Sequence, residues 1–244
     1  MPILYLSPST QEFNPVYGGG SEEYYMNLIA DAMEPYLAAS GINFVRNTPN
    51  MTAASSIQAS NAGNYDFHLA IHSNATASGE GTARGTEVYY YPNSQKGKRF
   101  ADIAVNNFRM IYPLPDRVRA VATTNSGEVS KTRAPAALIE VAYHDNPQDA
   151  QWIRNNIDEI AANLVLSLTE YFGIPFVTPQ PIRVATVATS GSNLNIREKP
   201  SIRSAIIGKI PNGAEITVYS QISDWYLVSF GGQTGYVSAR YVRF

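Results

Sequence analysis

The chain has only three histidines, His68, His72 and His144, and no cysteine. Disulfides, thiolate metal sites and cysteine nucleophiles are thereby excluded. Two of the histidines lie in the run Asp66-Phe67-His68-Leu69-Ala70-Ile71-His72-Ser73-Asn74-Ala75. On a strand, four residues span about 13 Å, so these two rings can share a side but cannot readily share one metal. His72 falls at the carboxyl end of the expected strand, where open α/β sheets place their sites. It is the candidate ligand, and His68, deep in the apolar run, reads as a buried, hydrogen-bonded histidine. Glu140 ends a second apolar run, Ala136-Ala137-Leu138-Ile139, again at a carboxyl end. A charge there costs several kcal/mol unless it is paired or opens into a cleft, and a cleft general base is the economical reading. Glu23 follows the Gly18-Gly19-Gly20 loop in the first turn of an expected helix, where a carboxylate also favours the helix dipole.

Strands and helices alternate along residues 1–173. Ile3–Leu6, Ile42–Val45, Phe67–Ile71, Thr86–Tyr91 and Ala136–Ala142 read as strands. Helices are expected over Glu22–Ala39, Thr52–Asn61, Lys98–Ile111 and from Pro147 to Phe172. In the first helix the apolar stripe is read as Tyr25, Leu28, Ile29, Ala32, Met33, Tyr36 and Leu37, with Ser21 as N-cap and Gly41 as stop. This alternation predicts an α/β class: a twisted sheet with helices on both faces. Residues 174–181 hold three prolines and read as a semi-stiff linker. Beyond it, 182–244 carry short strand patterns separated by turn signals, which predict a small all-β barrel.

No apolar run approaches the length that spans a bilayer. Met1-Pro2 leads straight into an apolar run without a basic segment, so no classical leader is read. Release by a phage-type route, or a leader already removed, is the expectation for a protein acting outside the cell. Net charge is −2, which argues against a nucleic-acid footprint. Residues 1–175 carry −6 and residues 176–244 carry +4, so a basic module follows an acidic body.

Four motifs fall in order along the first region. They are Glu23-Tyr24-Tyr25-Met26-Asn27-Leu28, Ile71-His72-Ser73-Asn74-Ala75, Gly85-Thr86-Glu87-Val88 and Pro135-Ala136-Ala137-Leu138-Ile139-Glu140, with Asn146 downstream. Together they resemble the zinc-dependent N-acetylmuramoyl-L-alanine amidases, which cut the lactyl–L-alanine amide of peptidoglycan. The resemblance implies Zn2+ as cofactor, Glu23 and His72 as zinc ligands, and Glu140 as the catalytic glutamate. Arg84 and Arg133, basic residues in loops near the expected site, are candidates for holding substrate carboxylates. The family's first ligand is a histidine just after the first strand. Here that turn reads Ser7-Pro8-Ser9-Thr10-Gln11-Glu12, with Thr10 at the ligand's place. Glu12 or Gln11 stands as the third ligand, with Asn14 and His144 as further substitutes.

In the second region, Leu194-Asn195-Ile196-Arg197-Glu198-Lys199-Pro200-Ser201, Trp225-Tyr226-Leu227-Val228 and Gly235-Tyr236-Val237 resemble the bacterial SH3 (SH3b) domain, implying a cell-wall peptide as its partner. Trp225 and Tyr236 read as core aromatics. The expected partners are peptidoglycan glycan and stem peptide, with neither nucleic acid nor membrane, and the expected place of action is the cell wall, as an autolysin or endolysin. The alternative is a metal-poor, inactive amidase-like protein that only binds walls. A cysteine peptidase joined to SH3b is excluded by the absence of cysteine, and a carboxypeptidase-type zinc endopeptidase fits the motif order worse.

Overall fold

The computed structural model describes residues 1–76 and 81–244. The chain divides into two compact units: Pro2–Glu34 with Phe44–Gly173, and Met1 with Pro35–Asn43 and Ile174–Phe244.

The first unit is built on a six-stranded mixed sheet in the order β2-β1-β3-β6-β4-β5. The strands are β1 (Ile3–Pro8), β2 (Asn43–Arg46), β3 (Phe67–Asn74), β4 (Thr86–Tyr90), β5 (Val118–Ala122) and β6 (Ala136–Tyr143). β1, β3 and β6 run parallel, β4 runs antiparallel to β6, and β5 is parallel to β4. The carboxyl ends of β3 and β6 therefore share an edge with the beginnings of β4 and β5.

Helices α1 (Glu22–Ser40), α2 (Ala53–Ala62), α3 (Gln95–Phe108), α4 (Gly127–Ser130), α5 (Pro147–Asn155) and α6 (Ile157–Phe172) complete the layers. The near-continuous apolar run of β3 is explained by burial on both faces. On one face Phe67 meets Phe100 of α3 and Tyr171 of α6, each at 4.7 Å between ring centroids. On the other, His68 meets Ser60 of α2 and Glu128 of α4.

Three local differences from the sequence reading have physical causes. The carboxyl-terminal helical pattern is two helices, because Asn156 leaves helical geometry at φ −129° and ψ 27°. β5 follows a proline-rich turn and is only five residues long, too short for a clear period. The stripe of α1 is rotated by about one position: Met26, Ile29, Ala30 and Met33 are buried, whereas Tyr25 and Leu28 lie on its flank.

In the second unit the strands are β7 (Arg183–Val187), β8 (Leu194–Arg197), β9 (Ile206–Ile210), β10 (Glu215–Ile222), β11 (Trp225–Phe230), β12 (Gln233–Ser238) and β13 (Val242–Arg243). They pair antiparallel in the order β13-β7-β10-β11-β12-β8-β9. Alternate residues, among them Val187, Ile196, Ile216, Val228 and Val237, turn inward to form its core. Tyr236 is buried, while Trp225 stays partly exposed.

Candidate functional site

His72 and Glu140 are register partners on neighbouring strands, which puts their side chains on one face about 4.8 Å apart at the backbone. The pairing becomes irregular between His72 and Asn74, a bulge of the kind that re-aims side chains beside sites. Across the next strand pair Glu140 is the partner of Glu87, and across the next Glu87 is the partner of Arg119. His72, Glu140, Glu87 and Arg119 thus form one row across β3, β6, β4 and β5. Gly85, at φ +140°, brings the chain into β4 so closely that a Cβ there would lie 2.6 Å from the carbonyl oxygen of Arg117.

The carboxylate that meets His72 is Glu22. Its Oε1 accepts from His72 Nδ1 at 2.8 Å, and its Oε2 accepts from Asn14 Nδ2 at 2.7 Å. Glu22 is 1% exposed. Glu23, the expected ligand, is the next residue on the helix, about 100° around it, and lies partly exposed. The motif located the turn of the helix that faces His72, and within it the side chain that touches the ring is that of Glu22. The buried stripe supplies the missing signal, since Glu22, Met26, Ile29 and Met33 follow one face.

Of the candidates for a third donor, Gln11 reaches the site: its amide lies 3.3 Å from His72 Nδ1 and accepts from Asn14 at 3.2 Å. Glu12 is exposed. Asn14 binds Glu22 instead of facing the ring. His144 is buried against the Ser73 carbonyl oxygen, 2.8 Å from its Nδ1. The two arginines singled out from sequence are engaged elsewhere. Arg84 donates to the buried carboxylate of Asp149 at 2.8 Å. Arg133 precedes β6 at the opposite edge and bonds the Gly63 carbonyl oxygen.

Burial and charge set the protonation of the cluster. Burial alone would raise the Glu22 carboxyl, but the hydrogen bond and charge of His72, with help from Asn14 and Ser9, bring it below the ordinary range. For His72 burial favours the neutral ring, and the hydrogen bond to Glu22 together with the charges of Glu140 and Glu22 overrides it, raising the pKa. Burial pushes Glu140 up to about 7, a rise that His72 opposes and the charges of Glu22 and Glu87 reinforce. Its Oε2 is enclosed and has no hydrogen-bond partner among the described residues. A carboxylate with an unused buried oxygen and a pKa near neutrality is poised to take a proton from a third party.

A catalytic zinc takes three protein ligands and keeps one position open. Among the described residues no three His, Cys, Asp or Glu side chains stand together around one point. His72 and Glu22 offer one imidazole and one carboxylate, and Gln11 brings its amide to the same point. As placed, the nitrogen of that amide faces the ring and its oxygen accepts from Asn14; turned over, the amide would present its oxygen as a third donor to a divalent ion.

Comparison with known proteins agrees with this architecture. A family model described as N-acetylmuramoyl-L-alanine amidase matches residues 11–170, and one described as bacterial SH3 domain matches residues 192–243. Among solved structures, the N-acetylmuramoyl-L-alanine amidase AmiC2 of Nostoc punctiforme aligns with a TM-score of 0.62 at 18% identity, over 70% of this chain and 97% of that one. The catalytic domain of an endolysin targeting Clostridia difficile aligns with a TM-score of 0.59 at 20% identity, over 70% and 98%. At these identities the likeness is one of fold. The putative N-acetylmuramoyl-L-alanine amidase YrvJ of Bacillus subtilis (strain 168) is 35% identical over 57 residues, which is 23% of this chain and only 11% of that protein's length. With the family model covering most of the chain, from the loop that carries Gln11 to the last turn of α6, the chain belongs to the N-acetylmuramoyl-L-alanine amidase family.

Proposed function

We propose that this protein hydrolyses the amide between the lactyl group of N-acetylmuramic acid and L-alanine in peptidoglycan, with Glu140 as general base and then general acid. The observation that carries this reading is the enclosed, unpartnered oxygen of Glu140 on the strand beside the His72–Glu22 pair. Residues 1–173 are the hydrolytic domain, 174–181 a linker and 182–244 a module that holds cell-wall peptide. The place of action is the cell wall. No helix among the described residues is long and apolar enough to cross a membrane.

His72, Glu22 and Gln11 would hold Zn2+. Bound there, the ion supplies Lewis acidity toward the scissile carbonyl and the attacking water. The chain's own contribution is positional. Asn14 fixes Glu22 through its second oxygen. Glu140, carboxylate above about pH 7, takes the proton of the attacking water at its free oxygen and returns it to the departing amine of L-alanine.

The test is elemental analysis of the purified chain together with lysis of isolated peptidoglycan. About one zinc per chain, chelator-sensitive release of L-alanine amino ends, and loss of release in Glu140→Gln with metal retained are expected. Lysis by Glu140→Gln at the wild-type rate would remove Glu140 from the chemistry. A second reading, a metal-poor wall-binding protein, is favoured by the absence of a third His, Cys, Asp or Glu donor among the described residues. It predicts sedimentation with walls, no bound zinc and no release.

A further inference from the structure

Glu87 and Arg119 are the members of the cross-sheet row that this chemistry leaves unused, and Arg119 is the exposed one. Its side chain is 68% exposed. Yet its guanidinium is anchored, donating from Nε to Glu87 Oε1 at 2.8 Å and from Nη2 to the same oxygen. Glu87 is itself 6% exposed and is held on its other oxygen by Tyr89 and Asn74. A surface arginine ordinarily surrenders several rotors when it grips a ligand. Here that cost is met in advance by a buried carboxylate, while the side chain as a whole stays largely open to solvent. Glu87 takes the Nε/Nη2 edge, which leaves the Nη1/Nη2 edge of the fork for a second planar anion.

Placement decides what that anion is. Arg119 lies two strands from Glu140, about 10 Å at the backbone. An extended peptide advances about 3.3–3.6 Å per residue. With the scissile carbonyl at Glu140 and the peptide laid along the row, the second residue of the leaving peptide falls within reach of the guanidinium.

We propose that Arg119 is a specificity residue that grips a free α-carboxylate on the second residue of the stem peptide. This rests on the amidase reading above. Its consequence is discrimination between stem peptides whose second residue is a free acid and those in which that carboxyl is amidated, a change of one oxygen for one nitrogen.

The experiment compares the full-length wild-type chain with Arg119→Gln on two muramoyl dipeptides, one with the free α-carboxylate and one with the α-carboxamide. Hydrolysis and, separately, calorimetric binding of the two corresponding free dipeptides are read. A charge-assisted bond of this kind corresponds to about 10–100-fold. The expected result is that wild type favours the acid, that Arg119→Gln weakens binding and raises KM for the acid by that factor, and that the carboxamide changes by less than about threefold. Equal losses on both ligands, or no loss on the acid, would overturn the proposal. If wild type cleaves neither substrate, the amidase reading fails on its own, and the calorimetric comparison still decides whether Arg119 binds the carboxylate.

Discussion

Two histidines on β3 each meet a glutamate, four residues apart on one face, and they do opposite work. His68 is fully enclosed. Its Nε2 bonds Glu128 at 2.6 Å, its Nδ1 bonds Ser60 at 2.9 Å, and the ring of Tyr5 stacks on it at 5.2 Å. The second oxygen of Glu128 accepts from Ser7, and Ser7 accepts in turn from Asn47. By residue type Ser60, His68 and Glu128 could be taken for a nucleophilic triad, but they are 2%, 0% and 5% exposed and every polar atom has a partner within the fold. Such a closed network specifies packing. His72 sits four residues further along β3, near its carboxyl end, and Glu140 beside it keeps an oxygen that is unpartnered among the described residues. Residue identity and pairing are alike in the two places. What separates a structural cluster from a reactive one is whether a hydrogen-bonding position is left for something outside the chain.

That contrast can be broken at the open end first. If Glu22 is the ligand proposed above, Glu22→Gln should lower zinc occupancy and lysis by at least about 100-fold, whereas Glu23→Gln should stay within about twofold of wild type. Metal content and lysis of the two variants side by side check it, and reversed outcomes would return the role to Glu23. At the closed end, His68→Leu strands the buried charge of Glu128, which costs about 3–5 kcal/mol. For a chain of this size that lowers Tm by roughly 10 °C. The rate of lysis per folded molecule at 25 °C should be unchanged, since His68 touches nothing that reacts.

The smallest effect separates the two ends by pH. Glu140 is raised to about 7 from an ordinary 4.5. Between those values the folded chain keeps a proton that the unfolded chain has released. The associated stability is therefore fully present below about 4.5 and is lost as pH rises through 7. Glu140→Gln abolishes that loss. In chelator-treated protein its Tm should match wild type near pH 4 and exceed it by roughly 8 °C at pH 8. Identical Tm differences at both pH values would mean that Glu140 titrates normally.

Much of this was legible in the sequence, for reasons that also set the limits. Apolar runs betrayed β1, β3 and β6, because strands buried on both faces have no polar alternation to blur them. His72 and Glu140 stood out as polar residues ending such runs. Glu22 did not, since one position on a helix turns a side chain by about 100° and the stripe of α1 was read out of phase. Tyr25 and Leu28, taken into that stripe, drew the reading away from Met26. Arg119 could not be found by spacing at all. It is 32 residues from Glu87 and reaches it only because β5 lies parallel beside β4. The direction of β4 relative to β6 is likewise set by the packing of the whole sheet and by no motif.

The row across the four strands also makes the site far more sensitive to changes of length than to changes of letter. Exchanging Arg119 or Glu87 for another residue removes one contact and leaves the other groups facing the same way. Deleting a single residue within β4 shifts its pairing by one, and because side chains alternate with a period of two, Glu87 would turn to the opposite face while Thr86 or Val88 took its place beside Glu140. Descendants of this chain are therefore expected to vary the row by substitution and to confine their insertions and deletions to the connections between strands.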